Sequence, residues 1–146
     1  MPSRILKTPD DRAAWVRFLE GQELPLSVTV KQGEEKRRDR QNRFAFEAYK
    51  QIAELMVDRT PSDVRAETKL RIGVPIMREE SPEFREKYDR ILKPMPYETK
   101  LELMVEPMEF PVTSLMSVKA MTRYISEMLV YWDAQGAPVM LPDDLQ

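Results

Sequence analysis

The chain has 146 residues, of which 42% are hydrophobic and 33% charged, with a formal net charge of −2; this is the size of one domain with one core. It contains neither cysteine nor histidine, which excludes disulfides, thiolate zinc sites, thiol nucleophiles and any imidazole base or metal ligand. A carboxylate-only cation site, or an unusual lysine or tyrosine catalyst, is what remains for chemistry. No apolar run is long enough to span a bilayer and the opening MPSRILK has no apolar signal core, so a cytoplasmic protein is expected.

The first predicted element is a helix over 9–20. TPDD at 8–11 supplies a threonine cap, a proline at the first helical position and an acid at the third; proline is tolerated there because its missing N–H would be unpaired anyway. LPLSVTV at 24–30 alternates Leu26, Val28 and Val30 with Ser27 and Thr29, the period of a half-buried strand. After a turn at KQGEE, a helix begins in the basic run and continues to about Val57. Its apolar stripe is Ala45, Ala48, Tyr49, Ile52 and Met56, while Lys36, Arg40, Arg43, Lys50 and Glu54 follow a different face.

TPSD at 60–63 repeats the cap chemistry and predicts a helix over 61–71, and SPEF at 81–84 predicts another over 82–92, which stops before the prolines of KPMP. TKLELMV at 99–105 reads as a second strand through Leu101, Leu103 and Val105. FPVTSL at 110–115 is a candidate third strand that Pro111 confines to an edge. From Ser117 a long helix carries Met121, Ile125, Met128 and Trp132 on one side and ends ahead of Gly136 and Pro138. The order of elements predicts a single domain over 1–146 of class α+β: four to five helices with a small antiparallel sheet.

The chemistry concentrates in EEKRRDRQNRFAFEAYK at 34–50. Positions 31–50 hold seven Lys or Arg against four acids in a chain that is acidic overall. Such a segment makes a local positive field that attracts polyanions without making the whole surface adhesive. Arginine forks suit phosphate oxygens, exposed aromatic faces stack on unpaired bases, and Gln41 and Asn42 add amide donors and acceptors. Cations crowded at a helix N-terminus are mildly unfavourable, and an anionic partner there would relieve them and use the free N–H groups. The bland alternative is a solvated helix start with Phe44, Phe46 and Tyr49 in the core. Tyr49 belongs to the stripe; Phe44 and Phe46 cannot both lie on one narrow face, and the pattern does not choose between them.

Two further readings compete. Glu79, Glu80, Glu83 and Asp89 in REESPEFREKYDR could form a metal-dependent nuclease site, although alternating charge on a solvated helix is the favoured account of them. The basic strip could instead hold the acidic tail of a protein partner in an interaction module. There is no phosphate-cradling glycine loop, with four glycines in all.

RRDRQNRFAF resembles the Arg-Ser-x-x-Gln-Asn-Arg-type motif of the NinB (Orf) family of phage recombination proteins, with Arg37, Gln41, Asn42 and Arg43 matching and Arg38 in place of the serine. In TPSDVRAETKL, Lys69 matches a lysine on the family's following helix, and Arg65 stands where a histidine is expected. SLMSVKAMTRYISEMLVYWDAQGAPVMLPDD is similar to the family's Ser/Thr-rich approach, long helix and closing Gly and Leu-Pro. The likeness runs from roughly 10 to 143, with 72–98 weakly anchored. It implies a non-catalytic protein without a cofactor, active as a homodimer with a basic cleft. Such a protein prefers single-stranded DNA and acts as a recombination mediator with single-strand-binding protein and a recombinase, in a bacterial cytoplasm. The DNA-binding residues expected on motif and charge together are Lys36, Arg37, Arg38, Arg40, Gln41, Asn42 and Arg43, with Lys50 and Lys69 in a second rank.

Overall fold

The structure is a computed structural model that describes residues 4–30 and 37–140, with Arg37 described for its backbone alone. The chain divides into two compact units, Met1–Lys36 and Arg37–Gln146. In the first, α1 spans Pro9–Glu20, as the cap chemistry predicts. The Asp11 N–H donates to Thr8 Oγ1 at 3.1 Å, and the Thr8 N–H donates to Asp11 Oδ2 at 3.2 Å, a reciprocal capping box. Trp15 and Phe18, one turn apart, stack with ring centroids 4.7 Å apart.

The regular elements described in the second unit are all helical: α2 (Arg37–Leu55), α3 (Pro61–Thr68), α4 (Val74–Glu80), α5 (Pro82–Ile91), α6 (Tyr97–Met104) and α7 (Val118–Ala134), with a short 3₁₀ turn at Thr113–Leu115. Among the described residues no β-strand forms, which overturns the α+β class and its antiparallel sheet. The segment 24–30 forms no ladder. Period-two alternation becomes a strand only when another edge supplies hydrogen bonds, and among the described residues no such edge exists. Residues 99–105 fall largely within α6. Their alternation is real, but Tyr97, Leu101 and Met104 also repeat at four and three residues, and Met104 is the one this helix buries. A short apolar run that satisfies both periods is arbitrated by what it packs on, and α6 packs against α3. In 110–115, Val112 is buried beside the 3₁₀ turn and Pro111 is exposed.

The largest addition lies in the weakly anchored middle. α3 does not stop near 71 but passes through a π-helical turn, Lys69–Gly73, into α4. Pro75 gives the physical reason: it lacks an N–H, and its ring crowds the carbonyl four residues back. The wider turn just ahead, with the Val74 N–H on the Lys69 carbonyl, carries the helical run past it. A Cβ on Gly73 would lie 2.8 Å from Val112 Cγ1 and 3.3 Å from Tyr124 Cε2, so the absence of a side chain lets this turn approach α7.

The core gathers the stripes read from the sequence. Ala45, Ala48, Tyr49 and Ile52 of α2 are buried, Met56 is half-buried, and Met121, Met128 and Trp132 of α7 are buried with Ile125 partly so. A chain of hydrogen bonds joins polar groups within it. The Trp132 indole N–H donates to Thr68 Oγ1 at 2.9 Å, and that hydroxyl donates to the Val64 carbonyl at 2.6 Å. Ser81 and Ser117 cap α5 and α7 by accepting the N–H groups of Phe84 and Ala120. Gly136 takes φ +90° beyond the end of α7, and the Ala137 N–H returns to the Trp132 carbonyl. None of the described helices is long and apolar enough to cross a membrane.

Candidate nucleic-acid interface

The basic motif occupies the first two turns of α2, and the helix sends its members in two directions. Opposite the core stripe, Arg40, Arg43, Lys50 and Glu54 are exposed, the face expected from their three- and four-residue spacing. Asn42 is exposed beside them. Arg38 and Gln41 turn the other way, toward the start of α7. The Arg38 guanidinium donates to the Ser114 carbonyl. The Gln41 amide donates to Thr122 Oγ1 at 2.8 Å and to the Val118 carbonyl at 3.3 Å. Gln41 therefore braces α2 against α7, and Arg38 braces it against the 3₁₀ turn that precedes α7. Gln41 Oε1 is buried and has no hydrogen-bond partner among the described residues. Lys36 and the Arg37 side chain lie outside the described residues.

The question left between the two phenylalanines resolves in favour of Phe46, which is 57% exposed, while Phe44 is half-buried. Phe46 sits one turn from Asn42, Arg43 and Lys50. Its ring meets Tyr49 edge-on at 6.3 Å between centroids, and the Arg65 guanidinium of α3 lies over it at 5.7 Å. An exposed aromatic ring with one guanidinium over it, and with Arg43 and Lys50 one turn away along the same helix, can stack on a base while phosphates are neutralised alongside. Arg65 was noted in the sequence only as a departure from histidine. Its role is spatial: α3 packs on α2, and no spacing within α2 alone could show it.

Lys69 stands apart from the strip. It is 2% exposed, at the start of the π-helical turn, and among the described residues its Nζ reaches only the Met104 carbonyl, at 3.5 Å. Burial lowers its pKa to about 8; the neighbouring Arg65 charge lowers it further and Glu109 opposes the shift. The Arg65 Nη1 donates to Glu109 Oε1 at 3.0 Å, so one carboxylate serves two cations.

On the far side of α3 the character reverses. An open cavity of about 350 Å³ is lined by Asp58, Asp63, Glu67 and Glu102, with Arg59 as the one cation. That Arg59 donates to Glu67 at 3.3 Å and covers the Trp132 ring at 5.6 Å, and the Tyr131 hydroxyl donates to the same Glu67 at 2.9 Å. Such a lining repels polyanions, in contrast to the cations exposed on α2.

The residues of the nuclease reading are dispersed among ion pairs. Glu79 accepts from Arg123, Glu83 pairs with Lys87 at 3.7 Å, and Asp89 receives both arms of Arg78 at 2.7 and 2.9 Å, which holds its carboxyl below the usual range. Among the described residues no three Asp or Glu side chains are placed to hold a metal ion together. No family model matches the chain, and neither the curated proteins nor the solved structures include a match to it.

Proposed function

We propose that the chain binds single-stranded DNA, non-catalytically, on the exposed face of α2. Arg40, Arg43 and Lys50 meet phosphates, Asn42 offers its amide to sugar or base, and Phe46 stacks on a base with Arg65 beside it. The observation that carries this reading is Phe46: a phenylalanine held open to solvent under a guanidinium has no core to serve, and an unpaired base is its natural complement. Arg38 and Gln41 support the site by fixing the N-terminal turns of α2 against the 3₁₀ turn at Thr113–Leu115 and against α7. The resemblance to the NinB (Orf) family extends the proposal to a homodimer that assists recombinase loading together with single-strand-binding protein.

The decisive measurement is a gel shift of single- against double-stranded oligonucleotides at two salt concentrations. Single strands bind more tightly, and with about four phosphates neutralised per subunit the logarithm of affinity falls against log salt with a slope of about −3. A flat salt response, or retention of double strands alone, ends the proposal. Arg40→Ala with Arg43→Ala weakens binding while the helical circular dichroism spectrum is kept, because the core stripe lies on the opposite side of α2.

A further inference from the structure

Arg65 already holds an anion. Its Nη1 is bonded to Glu109 Oε1 at 3.0 Å, while its guanidinium covers Phe46 at 5.7 Å. Both partners of the pair are reachable from solvent, with side chains 30% and 43% exposed. Glu109 is also the one non-glycine residue among those described with positive φ, at 41°, a backbone region that side chains other than glycine rarely adopt. Two backbone bonds clamp it there: the Glu109 N–H to the Val105 carbonyl and the Phe110 N–H to the Leu103 carbonyl, both at 2.9 Å. The loop is therefore held in a strained conformation whose product is one carboxylate lying on the cation beside the aromatic platform. Beneath the pair lies Lys69, a buried ammonium with one long hydrogen bond. That amine is poorly served by its own surroundings.

We propose that Arg65, with Lys69 behind it, is a phosphate subsite of the nucleic-acid interface, and that Glu109 occupies it in the free protein as an internal plug which a DNA phosphate displaces. This deepens the single-stranded DNA reading and rests on it. Glu109 takes a single arm of the guanidinium, Nη1; a phosphate takes the same arm and can offer a second oxygen to another guanidinium N–H, so the exchange replaces one anion by another with Arg65 kept over Phe46. The plug sets a threshold: a strand must engage the α2 cations and displace Glu109 together. Nucleotides too short to do both are discriminated against.

The test is fluorescence anisotropy of a labelled oligo-dT with the wild-type chain, Glu109→Gln, Arg65→Gln and the double variant, each at several salt concentrations. Glu109→Gln binds about tenfold more tightly, and its salt slope steepens by up to about 0.7, since a phosphate is gained without a carboxylate being freed to recapture a cation. In the Arg65→Gln background the same change has little effect, because the plug acts through that guanidinium. Equal tightening in both backgrounds makes Glu109 merely a repulsive surface charge and overturns the plug. Binding by the wild-type chain that Glu109→Gln leaves unchanged overturns the plug alone; no binding by either overturns the DNA reading with it. Should Arg65→Gln fail to fold, Arg65→Lys takes its place, since it keeps the charge but loses the fork, and an undiminished effect of Glu109→Gln there overturns the forked subsite.

Discussion

The hydroxyls of Tyr49 and Tyr124 lie 2.6 Å apart in the core, one donating to the other, and join α2 to α7 at a point where neither ring reaches water. Burial pushes the Tyr49 pKa up to about 12, against a partly opposing hydrogen bond and the Arg65 charge, and Tyr124 is raised further. Folding therefore favours the protonated phenols. The folded state holds protons that the unfolded chain releases above pH 10, so this part of the stability is intact below pH 10 and is lost as pH rises toward 12. Tyr124→Phe leaves the Tyr49 hydroxyl without its partner and lowers unfolding free energy by about 1–3 kcal/mol. Denaturant titrations at pH 7 and pH 11 check both statements; a loss at pH 7 of under a few tenths of a kcal/mol refutes the pairing.

Lys69 gives a separate window. Its pKa is lowered by burial from 10.5 to about 8, so the unfolded chain binds the proton more readily and stability rises as pH climbs from 8 toward 10.5. The same shift corresponds to a penalty of about 3 kcal/mol on the charged form at neutral pH. Lys69→Met keeps the volume and removes the charge, and is expected to stabilise the fold by about 1–3 kcal/mol at pH 7. The rise with pH then disappears. Unfolding midpoints of both chains at pH 7 and pH 9.5 provide the comparison.

What the sequence made legible was local chemistry. The caps at Thr8, Thr60 and Ser81 are observed in the structure, as are the start of α7 after Ser117 and the stripes of α2 and α7, because each depends on neighbours within one or two turns. The sheet was misread because Leu26, Val28 and Val30, and Leu101, Leu103 and Val105, satisfy a two-residue period that is silent about hydrogen-bond partners. The site was half legible. Arg40, Arg43, Lys50 and Asn42 could be placed outward from spacing on α2. Which phenylalanine is open, and the pairing of Arg65 with Glu109 across 44 residues, depend on how α3 and the 105–112 loop pack. The burial of Lys69 is of the same kind, since a lysine after a capped amphipathic helix start reads as surface.

Gly73 tests the π-helical turn. Its missing Cβ would meet Val112 Cγ1 at 2.8 Å and Tyr124 Cε2 at 3.3 Å, both in fully buried side chains. Gly73→Ala would ordinarily favour a helix by about 1 kcal/mol. Here overpacking exceeds that gain, and a net destabilisation of about 1–3 kcal/mol is expected. Gly73→Ala combined with Val112→Ala makes room and recovers part of it. Thermal unfolding of the three chains decides: a Gly73→Ala chain as stable as wild type means that the turn is not packed as described.

Phe46 separates stacking from charge. Its ring is more than half exposed, with Arg65 over it and Tyr49 meeting it edge-on, so truncation removes little buried area, and Phe46→Ala is expected to change stability by less than about 1 kcal/mol. Affinity for single-stranded DNA should fall by about 1–3 kcal/mol, the worth of one base on an aromatic face, while the salt slope stays as in wild type because no phosphate contact is lost. Arg40→Ala shows the opposite signature, a slope shallower by about 0.7. Phe46→Leu keeps the apolar area without the planar ring, and by this argument binds DNA nearly as poorly as the alanine variant. Anisotropy titrations with oligo-dT at three salt concentrations distinguish the two kinds of loss; full affinity in Phe46→Leu makes the contact hydrophobic rather than stacking, and full affinity in Phe46→Ala removes Phe46 from the interface.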